Sequence, residues 1–120
     1  RGRVPASEIH NFLSNAYALV CPTRLDFFEG LAFVCFEAAI HGVPSILTEV
    51  VPARDLLGDS CIVVPPNNPE KLAQALDQLV NDPSYQLSLA RKAREAGQVT
   101  YDRSQSWGSN VYKAIAAIRN

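Results

Sequence analysis

The sequence is short of several things, and each shortage removes a class of function. Eleven Lys and Arg against twelve Asp and Glu leave a net charge of -1. There is no basic excess to draw the chain to nucleic acid or to an anionic membrane surface. The longest apolar runs, of which Ala16–Cys21 is one, are six residues, far short of a membrane-spanning helix. The opening residues do not read as a signal peptide. Three cysteines and two histidines show no metal-site spacing: Cys-x-x-Cys is absent, and His10 and His41 are far apart. Cys21, Cys35 and Cys61 all sit in apolar stretches, which predicts core thiols in a reducing, cytoplasmic setting. Methionine is absent and the chain starts at Arg1, so we expect a piece of a longer polypeptide.

What remains is an ordinary globular composition. Apolar residues make up 48% and charged residues 19% of 120 residues. That is one domain, large enough to bury a core without staples. Short apolar runs alternate with helical periodicity. Tyr17–Cys21, Val43–Thr48 and Cys61–Val64 read as buried strands. Arg1 to Val4 reads as the end of a fourth strand. Ser7 to Ala16 reads as a helix capped by Ser7, with Ile9, Phe12, Leu13 and Ala16 at helical spacing. Leu31 to His41 is a second helix, stopped by Gly42. Pro52 to Leu57 is a third, short helix. Asn68 caps a fourth, with Pro69 in its first position and Leu72, Ala75, Leu76, Leu79 and Val80 as its stripe. A fifth runs from Pro83 to about Ala96 and ends at Gly97. Arg103 to Arg119 is a last amphipathic helix. The alternation predicts an α/β fold: a Rossmann-like parallel sheet with helices on both faces, residues 1–120 forming a single, partial domain. Strands lacking their neighbours leave a sheet edge through which the chain could self-associate.

Chemistry concentrates in Glu29-Gly30-Leu31-Ala32-Phe33-Val34-Cys35-Phe36-Glu37. The stretch follows a strand and a loop and opens a helix, where parallel α/β sheets bind ligands. Amides of Gly30 to Phe33, with the helix dipole behind them, suit a phosphate or diphosphate. Gly30 and Ala32 are small enough for a ligand to reach the main chain. Glu37 sits among apolar neighbours, a costly place for a carboxylate without hydrogen bonds. Along a helix the two glutamates would be separated by about 12 Å of rise, too far for a glycosidase pair, which needs about 5–9.5 Å. An elongated ligand with a carboxylate at each end fits better. A bland alternative stands beside it: Glu29 complements the helix dipole, and Glu37 pairs with a Lys or Arg from elsewhere. Arg24 and Asp26 read as a solvated loop pair. His41 reads as a helix C-terminal cap. Arg91, Lys92 and Arg94 read as a solvated helix face.

The same stretch resembles the Glu-x7-Glu signature of retaining GT-B glycosyltransferases of group 1. Cys21-Pro22-Thr23, an acidic and aromatic loop, Glu29-Gly30-Leu31-Ala32, then Phe36-Glu37-Ala38-Ala39-Ile40-His41-Gly42-Val43-Pro44 match it in order. Gly2-Arg3-Val4-Pro5, Leu57-Gly58-Asp59 through Pro66, Asn68-Pro69 with Leu72–Leu76, and Ser106-Trp107 extend the likeness over nearly the whole chain. The resemblance implies most of the C-terminal, donor-binding domain of such an enzyme. Glu29 would contact hydroxyls of the transferred sugar and count as the catalytic residue, and Arg24 and Asp26 on the loop before it would select that sugar. The amides of Gly30, Leu31, Ala32 and Phe33 would meet sugar and diphosphate, Glu37 the ribose hydroxyls, and backbone near Val4 the base. It implies a nucleotide-sugar substrate with no metal or other cofactor, an N-terminal domain carrying the acceptor site, and no nucleic-acid partner. The family's upstream Arg and Lys, which clamp the diphosphate, would precede Arg1. Leu31-Ala32 replaces the commoner Phe-Gly, and Val50-Val51-Pro52 with Asp55 replaces a Gly-Gly loop with Glu. The other function class open to such a fold is a non-catalytic α/β binding or interaction module.

Overall fold

The computed structural model describes residues 2–118. Its centre is a parallel sheet of β1 (Leu19–Cys21), β2 (Ser45–Thr48) and β3 (Cys61–Val64), in the order β1-β2-β3. Leu19 lies opposite Ser45, and Ser45 opposite Cys61, so all three strands start and end nearly level. All four residues of β2 are buried, which is why its sequence shows no polar alternation. Both outer strands lack a second strand partner among the described residues. Residues 2–5 form no strand, so the expected fourth strand is not found there; Arg1 lies outside the described residues.

Successive residues of each strand point to opposite faces, and two cores result. On one face Leu19, Cys21, Leu47 and Cys61 meet Cys35, Phe36 and Ala39 of α2 (Phe33–Ile40), Ala53 and Leu57 of α3 (Ala53–Leu57), and Ala93 of α5 (Pro83–Thr100). On the other, Val20, Ile46, Ile62 and Val64 meet Leu72, Ala75 and Leu79 of α4 (Pro69–Asn81), with Leu89 of α5 closing the edge. Helices thus cover both faces of the sheet, as expected. α2 and α3 lie on the same face, which one common crossover hand requires of strands laid side by side in order. α1 (Ala6–Ser14) packs through Ile9 and Leu13 against Ala38 and Val43 at the far end of α2.

The helix termini follow local chemistry. Asn68 accepts the Lys71 amide at 3.0 Å and Asp82 accepts that of Tyr85 at 2.9 Å, each with proline in the first helical position. Gly42 adopts φ +70°, its amide donates to the Ala39 carbonyl at 2.8 Å and that of Val43 to the Ala38 carbonyl at 2.9 Å, as at a C-terminal glycine. Other boundaries move. α1 begins at Ala6 with Pro5 in the cap position, so Ser7 is helical and caps nothing. Tyr17 falls outside β1; its hydroxyl donates to the Leu79 carbonyl at 2.8 Å, tying α4 to the sheet. Leu76 and Val80 leave the stripe of α4 and are exposed, because 3.6-residue periodicity rotates them away from the face of Leu72, Ala75 and Leu79.

Gly97 is the clearest correction. It does not stop α5, which runs on to Thr100. A Cβ at Gly97 would stand 2.6 Å from the Ile40 amide nitrogen and 2.8 Å from the Ala39 carbonyl carbon. The glycine lets α5 lie against the backbone of α2. The basic face of α5 is also engaged: Lys92 donates to Asp59 at 2.6 Å, and Arg94 donates to the His41 carbonyl at 3.3 Å. α6 (Trp107–Ile118) starts later than expected, after a 3-10 turn at Arg103–Gln105. None of its described side chains is buried, and Trp107 is 81% exposed. Trp107 is therefore not a core residue here, and Arg119 lies outside the described residues.

Two outcomes test this packing. Alanine normally favours a helix over glycine by about 1 kcal/mol, yet Gly97→Ala is expected to destabilise by about 1–3 kcal/mol because its methyl meets backbone rather than a yielding side chain. Denaturant titration of both forms checks the sign. Burial first, then Cys21 and Cys61, pushes the Cys35 thiol from an ordinary 9.0 to about 12. Between those values the folded chain holds a proton that the unfolded chain has lost, so stability should fall as pH rises through that window. Cys35→Ala should flatten that fall in alkaline denaturation.

Candidate functional site

Parallel strands of nearly equal length bring their carboxyl ends to one edge. Thr48 ends β2 there, Val64 ends β3, and β1 runs into Pro22-Thr23. Two open clefts lie along this edge. One, of about 340 Å³, is lined by Pro22, Thr23, Arg24, Asp26, Phe27 and Glu29. Its neighbour, of about 240 Å³, is bounded by Pro22, Arg24, Thr48 and the loop from Val64 to Pro69. Arg24 stands between them. It forms a two-pronged ion pair with Asp26, Nε to Oδ1 at 3.0 Å and Nη2 to Oδ2 at 2.5 Å. Both side chains are well exposed, so the pair orders the loop more than it stabilises the fold.

Glu29 is half-buried and lines the larger cleft. Its Oε2 accepts a hydrogen bond from the Thr23 hydroxyl at 2.8 Å. The Thr23 carbonyl accepts one from the Thr48 hydroxyl at 2.7 Å. The Cys21 sulfur lies 3.7 Å from the Thr23 hydroxyl, and the Cys35 thiol contacts Cys21 in turn. Large apolar side chains on the loop before Glu29 and at the start of α2 face solvent. Leu25, Phe27 and Phe33 are more than half exposed, and Phe28 is 97% exposed.

α2 begins at Phe33, not at Leu31. The cap residue Ala32 has φ 54° and ψ 60°, the left-handed region. A left-handed residue breaks the helical path, so Gly30 to Ala32 form an irregular approach and Glu29 lies on a loop. The helical-rise argument for the distance between the glutamates therefore does not apply. No side chain caps α2. The Cys35 amide turns onto the Ala32 carbonyl at 2.9 Å, which leaves the amides of Phe33 and Val34 at the helix entrance. Gly30 is exposed, with open space where a Cβ would stand; Leu31 is exposed beside it.

Glu37 is half-buried one turn into α2. Among the described residues it forms no ion pair, and neither does Glu29. The expected Lys or Arg partner for Glu37 is not found among them. Val4 is half-buried in the irregular stretch ahead of α1. His41 closes α2 with its backbone, while its Nε2 lies 3.1 Å from Nδ1 of His10 on α1. Its side chain thus joins two helices away from the strand-end edge. No group of three or more His, Cys, Asp or Glu among the described residues is placed to hold a metal ion.

Sequence reasoning missed Thr23 and Thr48. A signal was present for Thr48: it is the polar residue closing a strand that is otherwise apolar after Ser45, and a buried hydroxyl must find a partner. None existed for the Thr23 contact, which depends on how the loop folds back.

A parallel α/β sheet with helices on both faces and open clefts outside its strand ends has a Rossmann-like architecture. Comparison with known proteins narrows the class. The chain belongs to the group 1 glycosyl transferases, whose family model matches residues 1–97. It is 26% identical over 115 residues to the O-antigen chain mannosyltransferase B of Escherichia coli, covering 95% of this chain and 29% of that protein. It is 36% identical over 70 residues to an exopolysaccharide phosphotransferase of Streptomyces coelicolor, covering 56% of this chain and 7% of that protein. The chain thus spans less than a third of either relative. No solved structure matches it significantly.

Ala32 gives a direct test of the loop geometry. A left-handed alanine costs about 1–2 kcal/mol, and glycine removes that cost while adding about 0.4–1 kcal/mol of unfolded-state entropy. Ala32→Gly is therefore expected to be neutral or to stabilise by up to about 1 kcal/mol in chemical denaturation. A clear loss would mean that Ala32 is not left-handed.

Proposed function

We propose that this chain is the donor-binding part of a retaining GT-B glycosyltransferase, which transfers a sugar from a nucleotide sugar to an acceptor. The observation that carries the proposal is the placement of Glu29. A carboxylate with no ion-pair partner among the described residues faces an open cleft at the strand ends, directly ahead of an uncapped helix entrance. In this reading Glu29 accepts hydrogen bonds from hydroxyls of the transferred sugar. The main chain of Gly30, Leu31, Ala32 and Phe33, with the Val34 amide, meets the sugar and the diphosphate. Glu37 takes the ribose hydroxyls, and the main chain near Val4 borders the base. Mannose is the first sugar to test, since one relative is a mannosyltransferase.

The chemistry asked of these residues is positioning and electrostatic stabilisation. As the bond between sugar and diphosphate breaks, negative charge grows on the leaving diphosphate. Amides already aimed at that charge lower the barrier without reorganising, and no metal or other cofactor is assigned to the site. In this reading the acceptor site belongs to an N-terminal domain and the basic clamp on the diphosphate lies upstream of Arg1, so this chain alone is expected to transfer nothing. The reading places the protein in the cytoplasm. No helix among the described residues is long and apolar enough to cross a membrane. The open outer edge of β1 is where a further strand of the longer polypeptide, or a second copy, would add.

Substitution separates the two glutamates. Glu37→Gln removes a charged acceptor for two hydroxyls, and hydrogen bonds to charged groups contribute about 1.5–3 kcal/mol. In the full-length protein it should weaken free nucleoside diphosphate and nucleotide sugar alike, by about tenfold or more. Glu29→Gln should leave diphosphate affinity nearly unchanged and cut turnover, because its contact is with the group in transfer. Calorimetric titration of folded variants checks both. Equal diphosphate affinity for wild type and Glu37→Gln would end the ribose assignment, and a non-catalytic module would show no turnover in any form.

A further inference from the structure

We propose that Thr23 and Thr48 are positioning residues for Glu29: a two-step clamp that runs from the rigid end of β2 to the carboxylate and leaves one of its oxygens for the donor sugar. The inference rests on the reading of Glu29 as the sugar contact. It extends that reading to two residues that touch neither sugar nor diphosphate in it.

The argument begins with donor counting. An ionised carboxylate only accepts, so the proton between Thr23 and Glu29 belongs to the threonine hydroxyl, 2.8 Å away. A hydroxyl has one proton and keeps acceptor capacity. With its proton directed at Glu29, it can only accept from the Cys21 thiol at 3.7 Å. The thiol therefore fixes the rotation of the hydroxyl, and the hydroxyl fixes Oε2. Oε1 has no protein partner among the described residues and stays available on the cleft side.

Thr23 itself stands on a loop, and a loop hydroxyl is a weak anchor unless its backbone is held. Thr48 supplies the hold. It is 4% exposed, it ends a strand buried over its whole length, and its hydroxyl donates to the Thr23 carbonyl at 2.7 Å. Contact therefore runs from the sheet core through Thr48, the Thr23 main chain and the Thr23 hydroxyl to Glu29. A carboxylate held this way meets a sugar hydroxyl without first choosing a rotamer. That advantage matters most in the transition state, where small misplacements are costly.

The test uses the full-length protein with GDP-, UDP- and ADP-linked hexoses as probes and water as the default acceptor, reading nucleoside diphosphate release. Thr23→Val keeps the shape and removes the hydroxyl. It should lower kcat by about tenfold, while KM for the donor and affinity for the free diphosphate stay within about twofold. Thr23→Ser restores the hydroxyl and should recover most of the turnover, and Thr48→Val should fall between. A folded Thr23→Val that turns over like wild type, beside a slow Glu29→Gln, overturns the clamp and leaves the sugar contact standing. Equal losses in Thr23→Val and Thr23→Ser, tracking a lowered melting temperature, overturn it in favour of a structural role. A Glu29→Gln variant as fast as wild type overturns the sugar contact itself, and the clamp with it. A folded wild type that neither binds nor cleaves any of the three probes overturns the functional reading.

Discussion

The backbone-to-backbone approach of α5 and α2 at Gly97 governs where everything else can stand. Two helices without intervening side chains at the crossing sit closer than ordinary ridges and grooves allow. At that point α5 presses the last turn of α2, around Ala39 and Ile40, toward the sheet. α2 is then held from three sides: by α5, by α1 through Ala38 and Val43, and by the sheet through Cys35, Phe36 and Ala39. Its amino-terminal end, and the loop that feeds it, inherit their position from that clamp. The candidate site is built at one end of a helix whose other end is fixed.

The parts of the fold set by local chemistry were legible in the sequence. Asn68-Pro69 and Asp82-Pro83 announce helices because cap and first-turn preferences act over three or four residues. Gly42 announces a stop because only its own φ is at issue. The three strands were visible as apolar runs, and their parallel pairing followed from the helices between them. What failed to read were features decided by distant neighbours. Gly97 looks like a helix stop until the main chain of α2 is placed beside it. Arg94 and Lys92 look like solvated charges until the His41 carbonyl and Asp59 arrive opposite them.

The site shows the same division. Glu29 and Glu37 stand out by their surroundings in the sequence. The start of α2 did not stand out, because Leu31 and Ala32 have good helix propensity and tertiary geometry turns Ala32 left-handed instead. That turn matters for the chemistry. It takes Glu29 off the helix axis and into a loop, so its position depends on the hydrogen bond from Thr23 rather than on helical phase. A commoner glycine at this position would reach the same conformation without steric opposition. Alanine keeps the residue small while narrowing the range of shapes the loop can visit.

α6 carries a consequence of a different kind. Both cores close without it, the family match ends at Gly97, and none of its described side chains is buried. A twelve-residue helix with so little to lean on is marginal in water, since nucleation is costly and propagation gains little per residue. It should open and close independently of the sheet, with amide protons that exchange far sooner than those of β2. Thermal unfolding of the chain is then not a single event. A probe on Trp107 and a probe on the sheet would trace different curves, and fluorescence alone would misstate how firmly the α/β body is held.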